Sequence, residues 1–231
     1  MLPYSPLTVA ESLATVLDAA AAARGRATLA IPGGRSPGPV LTALAGLVDD
    51  FLRPRLHLLW LDERAVPVGH ADRNDLTTLA AWRAGGELPA HVHPMPAEAP
   101  DLVAAAAEYA QTLATATAGA GLDACLVGIG EDGHLASLFP DHSGLHELSD
   151  VFPVFDSPKP PPRRLTMSLP VFHRAGAIVV LALGAAKGAV ARQVRRGPAW
   201  GLPVSLLPVA RCVWYLDDAA VAAAQAAGEP Q

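Results

Sequence analysis

The stretch Ala27-Thr28-Leu29-Ala30-Ile31-Pro32-Gly33-Gly34-Arg35-Ser36-Pro37 decides the fold. Its apolar first half reads as a strand, the glycine pair breaks that strand, and Ser36-Pro37 supplies an N-cap and a first-turn proline for a helix to about Val48. The same grammar recurs outward in both directions. Upstream, Thr8-Val9-Ala10-Glu11 matches a capping box, and Val9, Leu13, Val16, Leu17 and Ala20 recur with helical period, predicting a helix from Thr8 to Arg24. Downstream, Leu56 to Leu61 predicts a strand, then come a polar loop from Asp62 and a helix near Asp75 to Ala84. His91 to Met95 reads as a strand, Asp101 to Thr117 as a long alanine-rich helix, and Asp123 to Ile129 as a buried strand. The segment from His142 to Arg164 departs from the pattern. It is rich in Pro, Ser and Asp, contains Pro160-Pro161-Pro162, and predicts an excursion carrying one or two short strands. Alternation then resumes with a strand Ala177–Leu183, a helix Ala185–Arg196, a strand Arg211–Leu216 and a closing helix Asp217–Ala227. Such alternation predicts an α/β fold, a parallel sheet covered by helices on both faces.

Composition narrows the function. A chain of 231 residues, 51% hydrophobic and 17% charged, is long enough for one large domain and is neither disordered nor fibrous. Cys125 and Cys212 both sit in apolar runs, where small buried thiols are expected rather than a bridge. The net charge of −5 offers no footprint for nucleic acid or an anionic membrane, so an anionic ligand must be held by local charge. The apolar run Ala175–Ala186 falls short of the ~20 residues that span a bilayer. No basic residue precedes Arg24, so neither a signal nor a transit peptide is indicated and a cytoplasmic location is expected.

In open parallel α/β sheets, ligands bind beyond the carboxyl ends of the strands. Four predicted strand ends carry unusual residues: Gly33-Gly34-Arg35-Ser36, Asp62-Glu63-Arg64, Gly130-Glu131-Asp132-Gly133-His134 and Gly184-Ala185-Ala186-Lys187. The first resembles a phosphate cradle, since glycines let backbone amides approach an oxyanion at a helix N-terminus, yet the Walker A spacing is absent. Lys187, one of two lysines, sits where a point charge meets such a phosphate. Gly128-Ile129-Gly130-Glu131-Asp132-Gly133 matches the dinucleotide fingerprint literally, but Glu131 and Asp132 would stand where a pyrophosphate must lie. His134 is the better candidate in that loop, a general base whose orientation Asp132 can fix. The pairs His142/His146 and His91/His93 lack a third metal ligand and read as solvated loop residues. No G-x-S-x-G elbow is present, so a serine hydrolase of that kind is not expected.

Five segments together resemble the 6-phosphogluconolactonases, in the same order along the chain. They are Ile31-Pro32-Gly33-Gly34-Arg35-Ser36-Pro37, Trp60-Leu61-Asp62-Glu63-Arg64 with Val66-Pro67 and Asn74, Gly128 through Pro140, Arg164-Leu165-Thr166, and Gly184-Ala185-Ala186-Lys187. The resemblance runs over nearly the whole chain, so residues 1–231 are read as one such domain. It implies a three-layer α/β sandwich with a mainly parallel, Rossmann-like central sheet and a small additional β excursion, related to glucosamine-6-phosphate deaminase. It also implies hydrolysis of 6-phosphoglucono-δ-lactone to 6-phosphogluconate in the oxidative pentose phosphate pathway, with no metal or organic cofactor. By position, His134 resembles the base that activates water and Asp132 its loop neighbour. Gly33, Gly34, Ser36, Arg64, Arg164 and Lys187 match residues around the sugar phosphate, Asp62 matches a carboxylate in the same site, and Arg35 either adds a phosphate contact or points to solvent. Pro32, Arg35, Arg73, Leu135 and Asp141 depart from the family pattern. A lactone is an activated ester, so a positioned water, a base and donors for the oxyanion suffice. An isomerase or deaminase of the same fold needs a further carboxylate soon after the histidine, where this chain has Ser137-Leu138-Phe139-Pro140. A sugar-phosphate sensor needs an attached DNA-binding module, for which the pattern starting by residue 8 leaves no room. The expected partner is a small sugar-phosphate lactone, bound by a monomer.

Overall fold

Seven parallel strands form the central sheet of the computed structural model, which describes residues 1–226. In chain order these are β1 (Leu2–Pro3), β2 (Ala27–Ile31), β3 (Leu56–Trp60), β5 (His91–His93), β6 (Ala124–Gly128), β9 (Ala177–Ala182) and β10 (Cys212–Leu216), arranged β1-β10-β9-β6-β2-β3-β5. β2, in the interior of the sheet, is buried at every position, as expected of a parallel strand covered on both faces. The helices are α1 (Pro6–Arg24), α2 (Gly38–Leu47), α3 (Asn74–Gly85), α4 (Leu102–Thr117), α5 (Leu169–Arg174), α6 (Ala185–Val194) and α7 (Asp218–Gln225). α2 packs against α1 and α3, and α6 against α7. α1 is long and apolar enough by composition to cross a membrane, yet Val9, Leu13, Leu17 and Ala20 bury its inner face in the core.

A second, antiparallel sheet of β4 (Asp62–Arg64), β8 (Arg164–Met167) and β7 (Val151–Val154) stands beside the first, with α4 against β7 and β8. β7 and β8 are the two strands expected in the excursion. β4 corrects the polar loop expected from Asp62, because that segment finds its partner about a hundred residues later, with Arg64 opposite Arg164 and Asp62 opposite Thr166.

Three local expectations change. α1 begins two residues before Thr8, where Ser5 Oγ accepts the Thr8 N–H and Pro6 occupies the first turn. Ser36 does not cap α2, whose N-terminus has Pro37 at the cap position and no side-chain acceptor. His91 and His93 lie on β5, where both rings stack on His57 of β3, at 4.2 and 5.3 Å between centroids, so they are not loop residues. His142, also expected in solvent, accepts the Gly144 N–H and bonds Asp156. β1 and α5 were not anticipated. The expected end of the closing helix at Ala227 lies outside the described residues.

Candidate active site

Strand order reverses between β2 and β6. From β2 the chain moves outward through β3 to β5, whereas β6 on the other flank leads through β9 to β10. Loops leaving β2 and β6 therefore diverge and open a crevice at their carboxyl ends, the switch point where such sheets take ligands. A cleft of about 360 Å³ lies there. The β2–α2 loop lines it with Gly33, Gly34, Arg35 and Ser36, β4 with Asp62 and Arg64, α6 with Lys187 from its first turn, β8 with Arg164, and the loop after β6 with His134. Asp132 is absent from the lining and stands behind His134.

The loop after β6 is closed on itself. Gly130 N donates to His134 O at 2.8 Å, Gly133 N to Gly130 O, and His134 N to Asp132 Oδ1. A Cβ on Gly130 would fall 1.9 Å from His134 Nδ1, so only glycine lets the ring fold back against the loop. Asp132 Oδ1 lies 2.5 Å from Nδ1. A contact that short between a carboxylate and a ring nitrogen needs a proton between them, so Nδ1 carries the hydrogen and, in the uncharged ring, Nε2 keeps the lone pair. Nε2 has no protein partner among the described residues. Burial lowers the His134 pKa and the Asp132 carboxylate opposes that shift, while Lys159 and His134 hold Asp132 well below the usual carboxylate range. The ring is thus oriented, and its burial favours the uncharged form that can accept a proton.

A bracing network fixes the opposite wall. Asn74 Nδ2 donates to Asp62 O and Oδ1 at 2.8 and 3.1 Å, and Ser137 Oγ donates to Asp62 Oδ2 at 2.7 Å. Asp62 is therefore buried and occupied, a tie between β4, α3 and the loop after β6. Gly33 lies against the same Asn74, where a Cβ would overlap Oδ1 at 1.7 Å. Below them Glu63 is wholly buried. Its Oε1 accepts the N–H groups of Arg64 and Asn74 and its Oε2 that of Asp75, so an acid from β4 caps the first turn of α3. Burial pushes the Glu63 carboxyl up to about 7, against the pull of those donors and of Arg73.

Charge in the cleft is mostly positive. Arg35, Arg64, Lys159, Arg164 and Lys187 line it, with Asp62 and Glu131 as the acids. Burial lowers the Lys187 pKa, Glu131 opposing. Arg64 gives one guanidinium nitrogen to Asp72 O and keeps its buried Nε unpartnered. Arg164 spends its donors differently: Nε goes to Pro161 O, Nη2 to Lys159 O and Pro160 O, and Nη1 to Ser137 Oγ. It gathers the carbonyls of the Pro-rich segment, which leaves at most one of its five N–H groups for a ligand. Sequence reasoning passed over Asn74, Ser137 and Lys159 as site residues. For Lys159 the available signal was its rarity, one of two lysines, set in a proline-stiffened stretch. Among the described residues no group of three His, Cys, Asp or Glu side chains is arranged to hold a metal.

An α/β sheet with a cationic crevice at its switch point and a histidine–aspartate pair on the loop after β6 defines a class of sugar-phosphate enzymes. Residues 7–214 match the model of that class, and the chain belongs to the glucosamine-6-phosphate isomerase/6-phosphogluconolactonase family. Within it, two relatives above 30% identity carry the lactonase name. The chain is 38% identical to the 6-phosphogluconolactonase of Streptomyces coelicolor, covering 91% of this chain and 87% of that one. It is 36% identical to the 6-phosphogluconolactonase of Mycobacterium leprae, covering 91% and 90%. The crystal structure of the Thermotoga maritima 6-phosphogluconolactonase shares the fold, with a TM-score of 0.83 at 23% identity over 94% of this chain and 98% of that one.

Proposed function

We propose that this chain hydrolyses 6-phosphoglucono-δ-lactone to 6-phosphogluconate, with His134 as general base. The observation that carries the reading is the His134–Asp132 pair, with Nδ1 engaged at 2.5 Å and Nε2 without a partner among the described residues, in a cleft lined by five cations. Nε2 takes a proton from a water, whose oxygen adds to the lactone carbonyl. The tetrahedral oxyanion collapses, the ring C–O bond breaks, and the imidazolium returns its proton to the departing ring oxygen. Asp132 accepts the Nδ1–H throughout and stabilises the transient imidazolium. The phosphate, nearly dianionic, is held by Lys187, Arg64 and Arg35 with the amides of Gly33, Gly34 and Ser36, and that remote binding orients the ring. Arg164 and Asp62 act at the cleft wall.

The test is the enzyme-dependent rate on freshly generated 6-phosphoglucono-δ-lactone, beside unphosphorylated gluconolactone and a blank without enzyme. Acceleration confined to the phosphorylated lactone is expected. No acceleration over the blank would overturn the assignment.

A further inference from the structure

Asp132 has two oxygens and two partners. Oδ1 meets His134 Nδ1, and Oδ2 lies 2.9 Å from Lys159 Nζ, which is also 3.0 Å from Nδ1. Since Nδ1 carries the hydrogen given to Asp132, it has no lone pair for the ammonium. The closeness of Lys159 to the ring is therefore charge against ring, and it opposes an imidazolium there. Asp132 acting alone pulls the other way and favours the protonated ring, which is no base.

The ammonium is delivered by a built loop. Ser157 Oγ donates to Lys159 O and accepts Lys159 N–H, Ser157 N donates to Pro162 O, and buried Arg164 collects the carbonyls of Lys159, Pro160 and Pro161. Three consecutive prolines limit the alternatives open to this segment. The charged groups around the ring are then few. Asp132 and Lys159 touch Nδ1, Asp62 from β4 and Arg164 from β8 stand 3.8 Å apart as a pair, and Lys187 from α6 faces Glu131. The ring of Phe139, 5.0 Å from that of His134, is uncharged.

We infer that Lys159 is a positioning residue for the base: it holds Asp132 against His134 and keeps the imidazole in its uncharged form. This rests on the lactonase reading above. It gives the Pro-rich segment a function beyond spacing, and gives Arg164 the task of presenting Lys159.

The test compares wild type, Lys159→Met and Lys159→Arg in the pH profile of kcat/KM from about pH 5 to about pH 9, and follows the His134 ring by NMR titration of histidine-labelled protein. Removing a half-exposed cation beside the ring should move the acid limb of Lys159→Met to higher pH by about one unit, an about ten-fold loss on that limb. The ring resonance should shift in parallel, and Lys159→Arg should restore both. An unmoved or lowered limb in Lys159→Met overturns the inference, as does an arginine variant displaced as far as the methionine one, which would make loop shape the cause. If wild type fails to hydrolyse the lactone, the reaction assignment falls, while the ring titration still decides the role of Lys159.

Discussion

Replacing Gly33 with alanine puts a methyl group where Asn74 already stands. The new Cβ would lie 1.7 Å from Asn74 Oδ1 and 2.1 Å from its Cγ, against a contact distance of about 3.5 Å. Gly33 is not in the left-handed region, so the cost is steric. Asn74 is not free to step aside, because Nδ2 donates twice to Asp62 and its backbone N–H is bound by Glu63. Swinging the side chain out breaks two hydrogen bonds worth about 1 kcal/mol each and strands a buried acceptor on Asp62 at about 1 kcal/mol more, so about 3 kcal/mol in all. That is a large share of a typical total of about 5–15 kcal/mol. Urea unfolding should show a midpoint lower by about 1 M with unchanged slope. Asn74→Ala loses the same bonds but leaves room for the methyl, so the double variant should be no less stable than Asn74→Ala alone, a coupling of about 3 kcal/mol. Gly33→Ala within about 0.5 kcal/mol of wild type, or simple additivity in the double variant, would refute the reasoning.

Further outcomes follow from the same geometry. His134→Ala should lose about 10²- to 10⁴-fold in kcat with an unchanged circular dichroism spectrum, and near-normal turnover would remove the base assignment. Lys187→Met should act mainly on KM, raising it about ten- to a hundred-fold through loss of a charged phosphate contact, as steady-state kinetics would register. Glu63→Gln keeps one acceptor oxygen but turns an amide donor toward the Asp75 N–H, so calorimetry should show a loss of about 2–3 kcal/mol. Burial, with His91, His93 and Arg26 nearby, lowers the His57 pKa from 6.5 to about 4. The folded state then binds fewer protons than the unfolded chain across that window, so the contribution is complete above pH 6.5 and is lost as pH falls toward 4. Solvent partly screens this half-buried ring, so the loss should be about 1 kcal/mol, and His57→Gln should flatten urea midpoints over the same range.

The elements legible in advance were those whose patterns are local. β2 and β9 are short apolar runs ended by glycine or a helix start, and α4 declares itself by Leu102, Ala106, Tyr109 and Leu113 on one face and by Asp101, whose carboxylate accepts the Val103 and Ala104 N–H groups. The elements missed have patterns that are not local. Leu2–Pro3 is too short to show alternation and becomes a strand only by pairing with β10. The cap of α1 lies upstream of the expected one because Thr8-Val9-Ala10-Glu11 fits a capping box by composition, while Ser5 Oγ makes the actual cap by accepting the Thr8 N–H.

The site divides along the same line. The amino-acid sequence by itself determined which loops carry chemistry, because glycines, a histidine two residues from an aspartate, and a rare lysine at strand ends are signals held within one short segment each. Tertiary structure alone decided what each polar atom is bound to. Asp62 is tied to Ser137 across 75 residues, Asp132 to Lys159 from the loop between β7 and β8, and Arg164 to the carbonyls of a proline run. A buried polar group must find its hydrogen-bond partners wherever the fold brings them, and the strand crossing that brings these together is not written in any local period.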